Sequence, residues 1–542
     1  MTSTLPGERL SEHPLNDHRR SIQPHRPAST KIVATIGPAC ETHATLLRLI
    51  EAGVSVFRLN FSHGDLDEHA HRLAHVRSAS LAIGRPVAVI GDLQGPKLRI
   101  TRVPDATPEG GIVVPTGSDV LFRRGVEEAY LDSREHIPVF GSSFDPIFTD
   151  VVPGQRVLIN DGAVRMLAVD RTPGRELRCR VTFGGRITSG KGINLPESDV
   201  RVPAITDKDW RCVEWALRHG VDFLALSFVR TAEEIADLKS RLHDLVAAGK
   251  VSGDLSAPPP VMAKIEKPQA VHNIDAIVRE ADAVMVARGD LGVEMDVAFV
   301  PTAQRLIITK CIEHGKPVVV ATQMLESMIE SASPTRAEAS DVAGAVLQGA
   351  DAVMLSGETA VGKHPALVVE TMRRIIEVTE IGLAEVPYET SLRPHLEELP
   401  YRSAALANGA WHIARETGAR VVITWSQAGG MARYLSRNDF RIPILAYTSS
   451  VTSARRMALL ANVYPIVSEP PPSGTLADWT DMAEQKLREM GLAGDADMAI
   501  LIAGKPLGTT RAQDLLAILR VGDRASGFRS EDDQPAATGI RQ

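Results

Sequence analysis

The chain has 542 residues, of which 44% are hydrophobic and 23% are charged, and its formal net charge is −7. This length predicts about two to four domains, because a single hydrophobic core stops growing well before it. The slightly acidic balance argues against a nucleic-acid partner, which a basic surface would attract. No apolar run reaches the roughly 18 residues that a membrane-spanning helix needs, so we expect no membrane partner.

The N-terminal segment and the cysteines bear on the cellular compartment. Residues 1–28 lack the apolar core of a signal peptide and are rich in proline, histidine and charge, which predicts a disordered or loosely docked extension. The cysteines, Cys40, Cys179, Cys212 and Cys311, are widely spaced and form no CxxC pair. We therefore expect buried, reduced thiols in a cytoplasmic protein rather than a disulfide framework or a zinc site.

Eight short runs rich in Val, Ile, Leu and Ala lie between residues 31 and 360. They read KIVATIGP, VSVFRLNFSHG, PVAVIGDLQGP, DFLALSFVR, VMAKIEK, AVMVARGD, PVVVATQM and AVMLSGET. Such runs are typical of strands buried on both faces, and most are separated by amphipathic segments that predict helices. This alternation predicts an α/β fold with a (β/α)8 TIM barrel formed by residues 29–100 and 201–370.

Each predicted strand ends in polar residues. They are Thr35, Arg58, Asn60, Asp92, Ser227, Lys264, Glu266, Arg288, Asp290, Thr322, Ser356 and Glu358. In a TIM barrel the carboxyl ends of all the strands converge on one face, where active sites are built. Strands that simply run into polar loops would explain single endings, but the paired opposite charges favour a site.

The connection after the third run breaks this pattern. Residues 101–200 contain short β-type runs separated by Gly and Pro turn signals, which predict a small β-rich domain inserted in a barrel loop. Because the insertion leaves from the predicted active-site face, we expect it to act as a lid that excludes water.

A different unit follows the barrel. The runs VVITWS, PILAYT, YPIVSE and AILIAG predict an open, doubly wound α/β domain at residues 371–528, followed by a polar tail at 529–542. Its turn WSQAGG, at residues 425–430, offers backbone amides at a helix N-terminus that would suit a phosphate. A glycine pair alone does not establish such a site.

The charged residues of the fifth and sixth runs suggest a metal site. Alternation along a strand places Lys264 and Glu266 on one side, toward the barrel mouth. Glu266 and Asp290, from neighbouring strands, can offer carboxylate oxygens to one divalent ion, with water or substrate completing the coordination, as Mg²⁺ prefers and Mn²⁺ accepts. The alternative is that Lys264 and Arg288 pair with these carboxylates in structural salt bridges.

A metal flanked by basic groups suits a polyanionic substrate. Arg58, Lys264 and the ion can hold a phosphoryl group, while the GDLG segment offers backbone amides to a carboxylate. Thr322 and Ser356 add hydroxyls able to relay a proton through water. From the residues alone, we expect a metal-assisted enzyme that acts on a small phosphorylated acid.

Several longer motifs make the expected function specific. They are LNFSHG, GDLQGPK, SGKGINLP, KIEKP, VARGDLGVE, ATQMLESM and SPTRAEASDVAGAVLQGADAVMLSGETA, in this chain order. With these motifs the sequence resembles the pyruvate kinase family, closely over residues 29–370 and more loosely in the C-terminal domain. The resemblance implies a glycolytic enzyme that transfers the phosphoryl group of phosphoenolpyruvate to ADP, giving pyruvate and ATP, with Mg²⁺ as cofactor.

The resemblance also implies how matched residues act on the phosphoryl group. Lys264 would stabilise the transferring group and the enolate, and Arg58 would grip the phosphate. Glu266 and Asp290 would bind the first Mg²⁺, while a second Mg²⁺ would arrive with the nucleotide.

Other matched residues would serve the carboxylate, the proton and the nucleotide. The amides of Gly289 and Asp290, together with Thr322, would hold the substrate carboxylate. Thr322 and Ser356 would relay the proton to the enolate through water, and Glu358 completes the catalytic set. The matched nucleotide-binding positions are Thr35, Pro38, Asn60, His63, Arg99 and Lys191, the last delivered by the lid.

The resemblance further implies a homotetramer, because family members assemble through barrel and C-terminal faces. Members that are activated by sugar phosphates usually carry a Thr/Ser-Gly-Arg-Ser/Thr loop after the first strand of the C-terminal domain. Here that loop reads TWSQAGGMA and lacks the arginine. A phosphorylated effector of the C-terminal domain would therefore be bound by backbone amides rather than by this arginine.

The segment DLQGPK, residues 92–97, departs from many family members. Those members require K⁺ and carry a threonine at the second position of this segment and a glutamate at the sixth. Here Leu93 removes the hydroxyl and Lys97 replaces the acid, so we predict that the lysine ammonium takes the place of K⁺ and that no K⁺ is required. The residues expected near this internal cation are Asp92, Asn60 and Ser62. The alternative is a lysine that extends into solvent.

Histidines His63, His69, His71 and His75 cluster in HGDLDEHAHRLAH. A histidine metal site is one interpretation. The spacing instead favours one site histidine at the strand end and three on a solvated helix.

Two rival functions fit parts of the pattern. A different barrel enzyme that handles enolates with Mg²⁺, such as a C–C lyase or a phosphonomutase relative, predicts no lid lysine, whereas Lys191 is present. A catalytically silent paralogue that senses metabolites should have lost Lys264, Glu266, Asp290 or Thr322, and all of these are retained.

Overall fold

A computed structural model of the chain describes residues 28–104, 110–198, 203–249, 257–386, 401–510 and 514–529. The N-terminal extension expected at residues 1–28 lies outside the described residues except for Ala28, and so does the polar tail except for Arg529. In the described part of the chain, none of the helices combines the length and the apolar character needed to cross a membrane.

The strands in chain order are β1 (Lys31–Thr35), β2 (Val54–Asn60), β3 (Ala88–Asp92), β4 (Ile112–Val114), β5 (Asp119–Arg123), β6 (Tyr130–Leu131), β7 (Pro138–Phe140), β8 (Arg156–Ile159), β9 (Val164–Thr172), β10 (Glu176–Phe183), β11 (Gly185–Ile187), β12 (Ile193–Asn194), β13 (Phe223–Leu226), β14 (Val261–Ile265), β15 (Ala283–Ala287), β16 (Val318–Ala321), β17 (Ala352–Leu355), β18 (Val421–Trp425), β19 (Ile444–Thr448), β20 (Val463–Val467), β21 (Met498–Ala503) and β22 (Leu515–Arg520). The helices are α1 (His43–Ala52), α2 (Leu66–Ile83), α3 (Ile147–Asp150), α4 (Asp207–His219), α5 (Ala232–Ala247), α6 (Pro268–His272), α7 (Ile274–Glu280), α8 (Arg288–Glu294), α9 (Val300–Glu313), α10 (Arg336–Gln348), α11 (Gly357–Ala360), α12 (Pro365–Glu385), α13 (Arg402–Thr417), α14 (Gly430–Arg437), α15 (Val451–Met457) and α16 (Leu476–Glu489). Short 3₁₀ turns lie at Val297–Phe299 and Glu326–Ile329.

Parallel strands close into a barrel in the order β1-β17-β16-β15-β14-β13-β3-β2. These are the runs identified in the sequence, so the prediction of a TIM barrel is confirmed. Side chains such as Val33, Ile90, Met262 and Met285 fill the interior as one buried cluster, and the helices bury their apolar faces against the outside of the strands. Because the strands are parallel, all their carboxyl ends open on the same face.

The barrel extends further along the chain than the sequence indicates. The boundary expected after residue 370 falls inside α12, which runs on to Glu385. Its residues Met372 and Ile376 are fully buried and belong to the barrel's own core. The helix remains part of the barrel because its apolar side packs against α1 and α10.

The insertion forms a separate β-rich unit, as predicted. It contains a larger sheet in the order β12-β8-β9-β10-β5-β7-β6 and a small sheet of β11 and β4. Its side chains, among them Phe122 and Phe148, form a core of their own. Two antiparallel segments connect it to the barrel: the Ile100 amide donates to the Lys191 carbonyl at 2.8 Å, and the Ile193 amide donates to the carbonyl of residue 98 at 2.9 Å. The hinge is therefore a hydrogen-bonded ribbon.

The C-terminal domain is an open sheet in the order β20-β19-β18-β21-β22, with helices on both faces. Its parallel strands β18 to β21 are the runs identified in the sequence. The edge strand β22, which runs antiparallel to β21, has no counterpart in the prediction.

The C-terminal domain also closes the bottom of the barrel. Leu459 is fully buried among the side chains that fill the barrel. Arg437 and Asp351 form an ion pair across the interface, and the two residues are only 4% and 0% exposed. Asp351 also accepts hydrogen bonds from the amides of Val318 at 2.7 Å and Ala461 at 3.0 Å. This carboxylate therefore joins the two domains.

We expect Arg437→Met to leave Asp351 buried without its partner and to lower the free energy of unfolding by about 3–5 kcal/mol. Urea unfolding followed by tryptophan fluorescence measures the change. The double variant Arg437→Met/Asp351→Asn removes both charges and should recover part of the loss. An equal loss in the single and double variants would show that the ion pair does not stabilise the interface.

Candidate active site

A buried lysine lies at the centre of the barrel mouth. Lys264, near the end of β14, is 8% exposed. Its Nζ lies 2.9 Å from Glu266 Oε1 and 3.2 Å from Asp92 Oδ1, and it donates to Ser227 Oγ at 2.7 Å. Burial lowers the pKa of Lys264, but the Asp92 and Glu266 carboxylates outweigh it and raise the pKa to about 12. The lysine is therefore charged at neutral pH.

Asp92 holds a second cation beside this lysine. Arg58 Nε donates to Asp92 Oδ2 at 2.6 Å, and Arg58 Nη1 donates to Thr35 Oγ1 at 3.2 Å. Burial raises the pKa of Asp92, but the opposing effect of Lys264 and Arg58 is larger. The pKa therefore lies below its usual value, and the carboxylate stays ionised. One carboxylate thus keeps two positive groups side by side, an arrangement that suits a polyanionic ligand.

Glu266 and Asp290 provide the acidic part of the site. Glu266 is 1% exposed, and its Oε2 accepts from the Phe228 amide at 2.5 Å. Burial raises the pKa of Glu266, Lys264 opposes this effect, and the Asp290 carboxylate adds to it, so that the pKa rises to about 7. Asp290 lies in the first turn of α8, and its side chain is 27% exposed. Carboxylates that disfavour each other's ionisation are stabilised by a cation between them.

The donor set fits Mg²⁺ or Mn²⁺. Both ions take carboxylate oxygens and commonly keep water or substrate oxygens in their remaining positions. Within the described ranges, no three His, Cys, Asp or Glu side chains are grouped to hold a metal. An ion at Glu266 and Asp290 therefore needs water or substrate to complete its coordination.

Arg288 does not neutralise these carboxylates. Its Nη1 lies 2.6 Å from Asp341 Oδ2, and its Nη2 donates to the Thr322 carbonyl at 2.7 Å. Thr322 has φ of 69°, a left-handed conformation that is unfavourable for a β-branched residue and is often found at functional sites. The Gly289 amide donates to Thr322 Oγ1 at 2.7 Å. The salt-bridge alternative therefore applies to Lys264 but not to Arg288.

Ser356 follows β17, and Glu358 lies in the short helix α11 directly after it. Glu358 is 2% exposed and accepts from the amides of Leu325 at 3.1 Å and Ser356 at 2.6 Å. Burial raises the pKa of Glu358 above its ordinary value. These contacts join the loops that follow β16 and β17, so Glu358 supports the loop that carries Thr322.

The positions expected to bind a nucleotide lie in separate parts of the mouth. Thr35 and Asn60 end β1 and β2, and the Asn60 side chain accepts from the Ser62 amide at 3.1 Å. Arg99 and Lys191 lie on the paired hinge segments, where Arg99 Nη1 donates to the carbonyl of residue 190 at 2.9 Å. The remaining positions, Pro38 and His63, are exposed.

Lys97 lies elsewhere than the sequence indicates. The prediction places it beside Asp92, Asn60 and Ser62, whereas its Nζ lies 3.8 Å from both Asp161 of the lid and Asp290. Gly95, two residues before Lys97, has φ of 68° in the left-handed region and forms a turn there. The lysine consequently lies between the lid and the acidic part of the site, while Arg58 and Lys264 neutralise Asp92.

The expectation of a solvated helix is wrong for His69, which is 2% exposed. Its Nε2 is hydrogen-bonded to the His63 carbonyl at 3.0 Å, and its ring packs edge-on against Phe61 and Trp215. Burial lowers the pKa of His69, which favours the neutral ring. His71 is exposed, as expected.

The side chain of Gln427 holds the turn WSQAGG in place. Gln427 Nε2 donates to Ser449 Oγ at 2.8 Å, and Trp425 Nε1 donates to Gln427 Oε1 at 3.2 Å. The Trp425 ring is buried beneath the turn against Tyr447 and Trp479. Aromatic side chains thus fill the core under this turn.

Three contacts of the site were not predicted from the sequence. Ser227 accepts from Lys264, the Phe228 amide donates to Glu266, and Arg288 fixes the Thr322 loop. Ser227 was detectable as a polar strand ending. The other two roles depend on a backbone amide and on a side chain that turns away from its neighbours in sequence.

Comparisons with known proteins agree over most of the chain. A family model described as "Pyruvate kinase, barrel domain" matches residues 27–369, and one described as "Pyruvate kinase, alpha/beta domain" matches residues 404–519. A pyruvate kinase of Corynebacterium glutamicum is 39% identical over 495 residues, which cover 91% of this chain and 98% of the relative. A pyruvate kinase of Mycobacterium tuberculosis is 38% identical over 494 residues, with the same coverage. The crystal structure of a pyruvate kinase from Cryptosporidium parvum has a TM-score of 0.79 at 32% identity, covering 91% of this chain and 96% of that one.

Proposed function

This chain belongs to the pyruvate kinase family, and from that premise we propose that it transfers the phosphoryl group of phosphoenolpyruvate to ADP, with Mg²⁺ required and K⁺ not required. The observation that supports this most strongly is the pair of cations, Arg58 and Lys264, fixed by Asp92 at the barrel mouth. Glu266 borders the same cluster. Fixed positive charge beside a carboxylate suits a phosphorylated acid that reacts with a metal.

Arg58 and Lys264 act on the transferring phosphoryl group. Phosphoryl transfer depends mainly on positioning and on electrostatic stabilisation of the charge that develops. Because Asp92 orients both cations before the substrate binds, they need little reorganisation during the reaction. Lys264 also stabilises the enolate that remains after transfer.

Glu266 and Asp290 would hold the Mg²⁺, and Mn²⁺ would fit the same oxygens. When bound, the ion supplies positive charge to the phosphoryl and enolate oxygens. The chain's own contribution is orientation: Lys264 and the Phe228 amide fix Glu266, and α8 carries Asp290.

The amides of Gly289 and Asp290, with Thr322, bind the substrate carboxylate. The Gly289 amide donates to Thr322 Oγ1 at 2.7 Å. A bound substrate carboxylate would replace Thr322 Oγ1 as the acceptor of this hydrogen bond. Thr322 and Ser356 relay a proton to the enolate through water. Glu358 positions their loops.

ADP binds between the strand ends and the lid hinge. Its binding residues are Thr35, Pro38, Asn60, His63, Arg99 and Lys191. On this assignment the catalytic barrel comprises residues 29–100 and the chain from residue 201 to the end of α12 at Glu385. The lid comprises residues 101–200, and the C-terminal domain extends to residue 528. Closure of the lid excludes water from the transferring group.

The experiment that tests the proposal is an assay of the purified chain with phosphoenolpyruvate and ADP, following pyruvate with and without Mg²⁺. Pyruvate should form only with the metal. No pyruvate under any condition would favour a metabolite-sensing paralogue. Turnover of phosphoenolpyruvate without ADP would favour a different enolate enzyme.

Lys264→Met should abolish phosphoryl transfer while leaving the fold intact. Removing one preorganised charge from an excluded site typically lowers the rate roughly 10²–10³-fold, and this charge has two roles. Stopped assays give the rate, and circular dichroism checks the fold. Near-normal turnover in a folded variant would remove Lys264 from the mechanism.

Glu266→Gln and Asp290→Asn each remove a charged metal ligand. The half-saturating Mg²⁺ concentration should rise by more than the roughly tenfold that loss of an outer-sphere partner costs. Asp282→Asn, immediately before β15 at the opposite end of the barrel, is the matched control and should titrate like the parent. If the Mg²⁺ titration curves of Glu266→Gln and Asp290→Asn superimpose on those of the parent and the control, the metal site is wrongly placed.

Several contacts support independence from K⁺. Leu93 is 1% exposed in the barrel core, its side chain offers no oxygen, and its carbonyl already accepts from Ser227 Oγ at 2.7 Å. The Gln94 side chain accepts from Lys208 Nζ at 2.8 Å, and Asp92 is neutralised by its two cations. Lys97 adds a fixed positive charge 3.8 Å from Asp290, which disfavours a further monovalent ion nearby.

With Mg²⁺ and tetramethylammonium as the other cation, the parent should be fully active, and adding K⁺ should change the rate little. Lys97→Glu places a second acid near Asp290 and should make activity depend on K⁺. Lys97→Met removes the charge without adding an acid and is the matched control. A many-fold rise in the rate of the parent on adding K⁺ contradicts the proposal.

We assign a homotetramer in the cytoplasm to the active enzyme. Val297 and Phe299, beside the barrel mouth, are 73% and 62% exposed, which favours a covered face in an assembly. The buried, unpaired cysteines suit a reducing compartment. A phosphorylated effector of the C-terminal domain would have to bind the amides of the WSQAGG turn. Light scattering at micromolar concentration tests the assembly, and a monomeric mass counts against it.

A further inference from the structure

A buried carboxylate outside the proposed metal pair connects α8 to the lid hinge. Glu294, the last residue of α8, is 2% exposed. Its Oε1 accepts from Asn194 Nδ2 of the hinge at 2.9 Å and from Lys267 Nζ at 2.7 Å. Asn194 is itself 4% exposed. We call these three residues, Asn194, Lys267 and Glu294, the hinge clasp.

The hinge clasp depends on one acceptor atom, Glu294 Oε1, for its hydrogen bonds. In the described part of the chain, Asn194 Oδ1 and Glu294 Oε2 are buried without a hydrogen-bond partner, and so is Gln269 Oε1. Asn194, Gln269 and Glu294 line a cavity of about 60 Å³ between the hinge and the barrel. A buried polar group that loses its one partner has nothing to compensate for it. The position of the hinge is therefore sensitive to this one carboxylate.

The lid also contacts the other end of α8. Lys97 Nζ lies 3.8 Å from Asp161 of the lid and 3.8 Å from Asp290 in the first turn of the helix. Asp290 and Glu294 are four residues apart, which is about one helical turn. A short hydrogen-bonded helix moves as a unit, so a displacement of Glu294 also moves Asp290.

We propose that Asn194 and Glu294 are positioning residues that couple the lid hinge to the metal carboxylate Asp290. When the hinge is anchored on Glu294, α8 holds Asp290 in place for the metal beside Glu266. Coupling between two sites is reciprocal, so metal binding in turn stabilises the anchored hinge. This inference rests on the proposed metal pair, and neither Asn194 nor Glu294 is among the residues proposed to bind the substrate.

The test is direct binding of Mn²⁺ to the full chain without substrate, measured by calorimetry. Asn194→Ala removes the lid side of the clasp and leaves the Lys267–Glu294 ion pair in place. The variant should bind Mn²⁺ about fivefold more weakly, within the range by which residues along such a connection change coupling. Gln155→Ala is the matched control, because Gln155 Nε2 donates to the Glu197 carbonyl within the lid at 3.0 Å, and it should bind Mn²⁺ like the parent.

Hydrogen exchange provides a second readout of the same coupling. Exchange at the hinge amides of Ile100 and Ile193 should slow when Mn²⁺ is added to the parent, and it should not respond in Asn194→Ala. The double variant Lys267→Met/Glu294→Gln removes both charges but keeps an acceptor for Asn194. It should retain the parent's Mn²⁺ affinity, which separates the coupling from a general loss of stability.

The outcomes distinguish this inference from the function on which it rests. Unchanged Mn²⁺ affinity in Asn194→Ala, with weakened affinity in Asp290→Asn, overturns the coupling and leaves the metal pair standing. Unchanged affinity in Asp290→Asn overturns the metal pair itself. If Asn194→Ala does not fold, weak Mn²⁺ binding by the folded double variant overturns the coupling.

Discussion

Asp92 is a buried carboxylate between two cations, and the arrangement of the barrel mouth depends on it. An ionised carboxylate at 1% exposure is strongly unfavourable without partners, and Arg58 and Lys264 would repel each other without the acid between them. Each group is therefore stable only in the presence of the others. They come from β2, β3 and β14, so closure of the barrel brings the cluster together. The result is positive charge that is fixed before any substrate binds.

Both faces of the barrel are held by other domains, and buried carboxylates make the contacts. At the bottom, Asp351 pairs with Arg437, and Leu459 packs into the barrel interior. At the mouth, Glu294 binds the lid hinge through Asn194. Buried ion pairs add little net stability compared with apolar packing, but they specify one geometry because an unpaired charge is so unfavourable. The site thus lies between two polar contacts that fix the relative positions of the domains.

The sequence was sufficient to predict the fold class, the strand ends and the family, because parallel buried strands leave unbroken apolar runs and the motifs are long. It could not predict contacts that depend on residues distant in sequence. His69 is buried by Trp215 of a later helix, and Lys97 follows a turn at Gly95 that leads into the lid. The boundary expected after residue 370 falls inside α12, because the packing of Met372 and Ile376 into the barrel core is not visible in the local sequence. Strand β22, with the sequence LLAILR, was missed because a short apolar run does not by itself distinguish a strand from a segment of buried helix.

The central claim is that Glu266 and Asp290 bind the metal beside cations that Asp92 has already fixed. The most direct test is a crystal structure with Mn²⁺ and phosphoenolpyruvate, in which anomalous scattering locates the ion. The account predicts a peak within about 2.3 Å of one oxygen from each carboxylate, with Arg58 and Lys264 facing the phosphoryl group. A peak at Asp92, or a phosphoryl group bound away from Arg58 and Lys264, would contradict it.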